Sequence, residues 1–303
     1  MNLRDLAYVV AVAEEGHFGH ASERCHVSQP ALSGQIKKLE DFLGVQLFER
    51  TNRRVAVTPI GAEVVVKAKQ VLLIADEIKD AAAAYADPLA GTLRFGTIPT
   101  IGPYLLPSIL RPLKAALPKM QLSLSEDFTH ELERKLCRGE IDIAITATEI
   151  RETGLAEIPL YEEPFRVALP EGHPLDTGKD IDVTTLDTAE LLLLKDGHCL
   201  SDQVAQLCGL ARNNAVLGLD TQASSMETIV GLVAAGAGIT FLPASMIGDS
   251  GTPRPGIAIR KATNEAARRR VRLIFRETFP KRALLDAMSA VIAEHLPAGV
   301  TGI

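Results

Sequence analysis

No apolar run in this chain approaches the eighteen residues needed to cross a bilayer, and no basic segment followed by an apolar run and a cleavage site opens it. Both absences lead to the expectation of a cytoplasmic protein with no membrane attachment. Positive charge is not in excess either. Against 32 Lys and Arg stand 38 Asp and Glu, a net charge of −6, so the protein is no polycation and any nucleic-acid contact must come from a local patch. Cysteine is scarce, at four in 303 residues. In a reducing compartment that argues against a structural disulfide framework and leaves room for a transient or sensing one. What is present, 47% hydrophobic and 23% charged residues, is a globular balance long enough for two or three folding units.

From Leu3 to Val57 the pattern is of short helices followed by a small hairpin. Leu3, Leu6, Ala7, Val10 and Ala13 recur at helical spacing and Gly16 closes that helix. "HFGHASERCHV" makes a second helix with Phe18, Ala21 and Cys25 on one side. A third opens at "SQPALSGQ": Ser28 is a good N-cap, Pro30 suits the first turn, and Ala31, Leu32, Ile36, Leu39 and Leu43 are spaced for burial. Two short helices joined by a tight turn form a helix-turn-helix, whose second member fits a major groove. "VQLFERTNRRVAVTP" reads as a wing turning at Thr51-Asn52 and carrying Arg50, Arg53 and Arg54. Residues 1–58 hold seven Lys or Arg against seven Asp or Glu, so this basic cluster acts through its placement.

Residues 59–87 read as one long linker helix. Val64, Val71, Ile78 and Tyr85 fall at a strict seven-residue spacing, with Ala68, Ala75 and Ala82 four positions after the first three. That is a narrow apolar seam, suited to pairing with a second copy. From Thr92 onward strands and helices alternate, which implies an α/β class of parallel sheets covered by helices. Among the later strands are "ELLLLK" and "RRRVRLIFR", the latter amphipathic, with Arg268, Arg270 and Arg272 on one face.

Two cysteines stand nine positions apart in "KDGHCLSDQVAQLCGL", Cys199 and Cys208. Core packing, metal ligation and a reactive pair are all open to them on residue type alone, although eight intervening residues fit no common zinc spacing. Cys25 and Cys137 read as small buried hydrophobes.

"FGHASERCHVSQPALSGQIKKLEDFLGVQLFER" resembles the DNA-binding region of LysR-type transcriptional regulators, and the likeness extends over essentially the whole chain. It implies a winged helix-turn-helix over 1–58, a dimerising linker over 59–87, and a regulatory domain over 88–303 similar to periplasmic binding proteins. The two α/β subdomains of that domain fall at 91–162 with 269–303, and at 163–268. The implied function is gene regulation and not catalysis, with double-stranded DNA, RNA polymerase and further copies of the chain, up to a dimer of dimers, as partners. Base edges fall to Ser28, Gln29, Pro30, Ser33 and Gln35, and phosphates to Lys37, Arg50, Arg53 and Arg54.

"DGHCLSDQ" with a following "LC", and "GTIPTIGPYLLP" around Thr100, are similar to the OxyR subgroup, which senses hydrogen peroxide through a reactive and a resolving cysteine. By that resemblance Cys199 reacts, Cys208 resolves, and no cofactor or metal takes part. Thr100, Thr129, His198, Asp202 and Arg270 are the implied peroxide-binding and thiol-tuning residues. Ser201 departs from the subgroup, where a basic residue is expected. Were the nine positions helical, the two α-carbons would lie about 13 Å apart at ~1.5 Å per residue. A disulfide needs roughly 4.4 to 6.8 Å, so the segment must unwind for the pair to meet. The alternatives are a family member answering to a small organic effector in the cleft, and a thiol peroxidase, against which the intact helix-turn-helix speaks.

Overall fold

The computed structural model describes residues 1–50, 55–187, 190–210, 223, 225–248 and 255–303. They form two units, Met1–Ala86 and Asp87–Ile303. No helix among the described residues is long and apolar enough to cross a membrane.

In the first unit α1 (Leu3–Glu15) begins at a capping box, in which the Asn2 side chain accepts from the Asp5 N–H and the Asp5 carboxylate accepts from that of Asn2. It ends at Gly16, left-handed at φ 60°. The next helix, α2 (Phe18–Arg24), is followed by α3 (Gln29–Leu43), whose N-cap is Ser28. Strands β1 (Phe48–Arg50) and β2 (Val55–Val57) pair antiparallel as the wing. Val9, Val12, Ala21, Leu32, Ile36 and Leu47 make the fully buried centre. Two spacing-based expectations are corrected here: Ala31 is exposed and Leu43 only half-buried, because the apolar stripe of α3 narrows to Leu32, Ile36 and Leu39.

Helix α4 (Pro59–Ala86) starts where Thr58 Oγ1 accepts from the Gly61 N–H. Gly61 is required there, since a Cβ would lie 2.2 Å from the Leu47 carbonyl oxygen. The early part of α4 packs Val64 and Val65 on the helix-turn-helix core and buries Ala68. Glu14 of α1 ties the same region together, pairing with Lys69 at 2.5 Å and with Arg24 at 2.8 Å. Further along, Val71, Ile74 and Ile78 are 43%, 56% and 67% exposed, an apolar stripe that this chain does not cover by itself. The side chain of Tyr85 lies outside the described residues.

In the second unit β3 (Gly91–Thr97), α5 (Gly102–Ala116), β4 (Met120–Glu126), α6 (Thr129–Cys137) and β5 (Ile143–Thr146) alternate, and the three strands are parallel. Strand β6 (Leu155–Pro170) then runs for 16 residues. It is followed by α7 (Cys199–Leu207), α8 (Met226–Ala234), β7 (Thr240–Pro243), α9 (Ala244–Ile247), β8 (Ile257–Lys261), β9 (Arg268–Arg276), α10 (Arg282–Glu294) and the short β10 (Thr301–Gly302). The first part of β6 pairs with β9 and its last part with β7 and β8, all antiparallel. Among the described strands the expected parallel arrangement therefore holds for β3, β4 and β5, with isolated parallel bridges at Ile181–Ala262 and Leu191–Ile239. Strands β6 and β9 carry the chain out of one half and back, and must run in opposite senses.

Two hydrophobic cores result. One gathers Phe95, Ile109, Ile143, Leu273 and Met288, and the other Phe165, Val167, Ile229, Val233 and Phe241. Two strand expectations change with them. "ELLLLK" supplies only one β-bridge, from Leu191 to Ile239, and is otherwise irregular. Strand β9 is amphipathic only at its start, because from Val271 onward both of its faces are buried between β5 and β6 and helices above and below. Cys25 and Cys137 are half-buried and not fully enclosed.

Candidate functional site

Cys199 is the first residue of α7, with His198 as N-cap in extended conformation at φ −79°, ψ 118°. The turn before it needs Gly197, at φ 100°. Its thiol is 8% exposed and packs into the core built on β3, β5 and β9, whereas Leu200 and Val204, one and five positions later, pack into the core built on β7 and α8. Helix α7 thus spans the two halves of the unit. Around the sulfur, Ile98, Thr100, Phe128, Thr129 and His198 line a closely packed crevice with no water-sized void. The His198 ring stands edge-on to Phe128 at 4.8 Å. The crevice leads to a wider cleft of about 280 Å³ bounded by Tyr104, Glu126, Lys195, Met226 and Glu227. There burial and the nearby Glu227 carboxylate push the Tyr104 phenol up to about 12.

The cation that acts on the thiol is not the expected one. Arg270 is 52% exposed and donates from Nε to Glu162 at 2.7 Å, on the solvent side of β9. Arg269 takes the inner place instead. Its side chain is fully buried, with Nε donating to Glu163 at 2.8 Å, Nη1 to the Thr100 hydroxyl at 2.9 Å and Nη2 to the Thr100 carbonyl at 2.8 Å. The other Glu163 oxygen accepts from the Ser245 N–H in α9 at 3.0 Å. Arg268, Arg270 and Arg272 do follow the period-two rule, but that face does not meet the thiol. Arg269 shares the register of Val271 and Leu273, and a charge in an apolar register is the signal that it is buried and paired.

Burial pushes the Cys199 thiol above its ordinary range. The Arg269 charge and the Thr129 hydroxyl pull it back, and Asp202, a carboxylate in the first turn of α7, pushes it further up. Asp202, named as a thiol-tuning residue, thus acts against the thiolate. The Thr129 oxygen is buried without a well-aligned partner, which leaves its hydrogen able to turn to the sulfur when a thiolate forms. Burial alone raises Cys208.

Cys208 is the C-cap of the nine-residue α7, so the two cysteines sit at opposite ends of one helix. At ~1.5 Å rise per residue that separation is about 13 Å, beyond disulfide reach. Both thiols are free. Two side-chain bonds hold the helix: Ser201 Oγ donates to the Leu194 carbonyl at 2.8 Å, and Gln203 Nε2 to the Ala147 carbonyl at 2.7 Å. Ser201, the departure from the subgroup pattern, is buried and anchors α7. Among the described residues no group of three or more His, Cys, Asp and Glu side chains could hold a metal ion.

In the first unit α3 exposes Ser28, Gln29, Pro30 and Lys37, with Ser33 half-buried beside them. Gln35 is half-buried, and its amide donates to Asp5 at 2.7 Å across to α1, which sets it apart from the exposed residues of α3. Arg53, Arg54 and the Thr51-Asn52 turn lie outside the described residues, as does the side chain of Arg50.

Residues 3–62 match the family described as bacterial regulatory helix-turn-helix protein, lysR family, and residues 86–297 match the LysR substrate binding domain. The chain is 40% identical over 296 residues to the hydrogen peroxide-inducible genes activator of Pectobacterium carotovorum subsp. carotovorum, covering 98% of this chain and 97% of that one. It is equally 40% identical to the DNA-binding transcriptional dual regulator OxyR of Escherichia coli K12, over 98% and 96% of the two chains. Among solved structures, a full-length cysteine-to-aspartate variant of OxyR from Pseudomonas aeruginosa superimposes with a TM-score of 0.79 at 40% identity, over 99% of this chain and 98% of that one. A cysteine-to-serine variant of OxyR from Corynebacterium glutamicum with hydrogen peroxide bound gives 0.66 at 36% identity, over 97% and 92%. With both halves of the chain matched and relatives aligned end to end, this protein belongs to the LysR family of bacterial transcription regulators, in its OxyR branch.

Proposed function

We propose that this chain is a DNA-binding regulator that answers hydrogen peroxide through Cys199 and activates transcription when the two ends of α7 are joined by a disulfide. One observation carries the reading: a thiol at the first residue of α7, with a buried guanidinium and a hydroxyl acting on it, and a second free thiol at the far end of the same helix. The thiolate form of Cys199 attacks one oxygen of the peroxide and the O–O bond breaks. The departing hydroxide takes a proton and leaves as water, and the sulfur becomes a sulfenic acid. The Cys208 sulfur then attacks the Cys199 sulfur, the S–O bond breaks and a second water leaves. Two thiols are oxidised and one peroxide is reduced to two waters.

The free N–H groups at the start of α7 and the Arg269 charge favour the anion that begins this sequence. Because the bridge cannot form across an intact α7, the helix unwinds, and with it go the contacts of Leu200 and Val204 on one core and of Cys199 on the other. The regulatory domain, read as two subdomains of periplasmic-binding-protein type, changes their relative setting. Paired helix-turn-helix heads, joined through the exposed stripe of α4, then change their fit to DNA. RNA polymerase is the partner that activation requires.

The test is oxidation of the reduced protein with near-stoichiometric peroxide, followed by alkylation and mapping of thiols by mass spectrometry, with DNA binding followed in parallel. A Cys199–Cys208 bridge that tracks the change in DNA binding is expected. Both thiols remaining free while DNA binding still switches would overturn the mechanism. A second reading is favoured by the 280 Å³ cleft beside the crevice: a small organic effector there would switch the protein with Cys199→Ser as well as without it.

A further inference from the structure

The charge that acts on the thiol is not a free one. On β9 and β6, Arg269 and Glu163 are direct cross-strand neighbours, and the next pair along, Arg270 and Glu162, repeats the match on the solvent face. The outer pair is hydrated and of little consequence. The inner pair is fully buried, and one of its carboxylate oxygens is also held by the Ser245 N–H. Glu163 is placed to do two things there: it holds Arg269 where two of its donors reach Thr100, and its negative charge offsets the positive charge beside the crevice.

We propose that Glu163 is a positioning residue that restrains the peroxide-reacting thiol: by pairing with Arg269 it keeps the guanidinium in place but nearly neutralised, so that Cys199 rests as the protonated thiol. This rests on the reading of Cys199 as the sensing group. The other groups facing the sulfur are Asp202 from its own helix, the Thr129 hydroxyl and the adjacent His198. Around the ion pair stand Tyr161, whose phenol burial pushes far up, and Tyr104. Neither phenol is ionised at neutral pH, so neither takes over the work of Glu163; the Glu126 and Glu227 carboxylates line the adjoining cleft. Burial is the main cause that raises the thiol, and the Arg269 charge is the first that pulls it back, so whatever weakens that charge leaves the thiol protonated. A sensor with a bare buried cation at this place would carry more thiolate and would oxidise at lower peroxide.

The experiment is pulse labelling of Cys199 with iodoacetamide across pH in the full-length reduced protein, read peptide by peptide by mass spectrometry so that the other three cysteines serve as internal controls. Glu163→Gln keeps the shape and removes the charge. Its labelling midpoint is expected to move toward acid by about one pH unit, which multiplies thiolate about tenfold below the midpoint. Intrinsic nucleophilicity falls about threefold for the same shift, so labelling at pH 7 rises about threefold. Glu163→Asp, which draws the carboxylate back by one methylene, is expected to move the midpoint part of the way. A lower melting temperature with an unmoved midpoint in Glu163→Gln would mean a merely structural role and overturn the proposal. Should that variant not fold, an unmoved midpoint in Glu163→Asp overturns it equally. Alkylation needs no peroxide, so a wild-type Cys199 that peroxide fails to oxidise would sink the sensing reading while the labelling result stood.

Discussion

One position along β9 decides which arginine meets the thiol. Arg269 and Arg270 differ by the pleat: one enters a dry network with Glu163 and Thr100, and the other lies half in solvent against Glu162. Removing one partner from a buried pair costs about 3–5 kcal/mol, and an exposed pair is worth about 0–1 kcal/mol. Arg269→Ala is therefore expected to destabilise the regulatory domain severely in thermal melts, and Arg270→Ala to leave it almost unchanged. Equal effects would show that the assignment of faces is wrong. The thiol itself has a pH signature. Its folded value is raised above the unfolded one, so the stability contributed by the neutral buried thiol is complete below the ordinary thiol range and is lost as pH rises through the raised value. The wild type is expected to lose melting temperature faster than Cys199→Ser as pH rises above ~8.5. Parallel slopes for the two would contradict it.

At the scale of the element, α7 is a short helix whose two ends carry the chemistry and whose middle carries the resistance. Leu200 and Val204 bury fully in one core, and Gln203 reaches across to the Ala147 carbonyl beside the other. Joining the end thiols requires giving up these contacts, so each of them shifts the balance between the reduced and the bridged state. Val204→Ala removes two buried carbons worth about 1.5 kcal/mol from the helical form, at ~0.8 kcal/mol each. The unwound form loses nothing comparable. The disulfide is therefore expected to become easier to form, with a midpoint potential about 30 mV more negative in a glutathione titration. An unchanged or less negative potential would show that α7 keeps its packing in the oxidised protein. Ser201 belongs to the same balance: a basic side chain placed there would lose the bond to Leu194.

At the scale of the whole molecule, one apolar surface left exposed among the described residues is the stripe of Val71, Ile74 and Ile78 on α4. Apolar side chains of this size, exposed in a row at heptad-like spacing, call for a second helix. Ile78→Asp places a charge at the most exposed position of that seam. It is expected to lower the mass measured by sedimentation toward that of a smaller assembly and to weaken binding to a two-half-site DNA by more than tenfold, because bivalent engagement is lost. An unchanged mass would remove α4 from the assembly. The early part of the same helix is committed inward, to the helix-turn-helix core and to the Glu14–Lys69 pair, so its sequence serves two surfaces in succession.

Local interactions made most of the elements legible in the sequence. Ser28 before "QPALSGQ", Gly16 and Gly44 after apolar stripes, and the uninterrupted run from Pro59 to Ala86 specify where helices start and stop through capping and propensity, which act over four or five residues. A helix separating Cys199 from Cys208 was legible only as a condition on their spacing, and the structure starts it at Cys199 itself, with no side-chain cap to mark the place. Contacts between distant segments were not. That Arg269 lies over Thr100, that Gln35 serves α1, and that "ELLLLK" makes a lone bridge each depend on pairing across tens or more than a hundred residues, where strand register and the competition for a buried partner decide the outcome. Periodicity could say that two arginines point opposite ways. Only the tertiary structure could say which of those ways was inside, because burial belongs to the neighbours that a strand acquires and not to the strand.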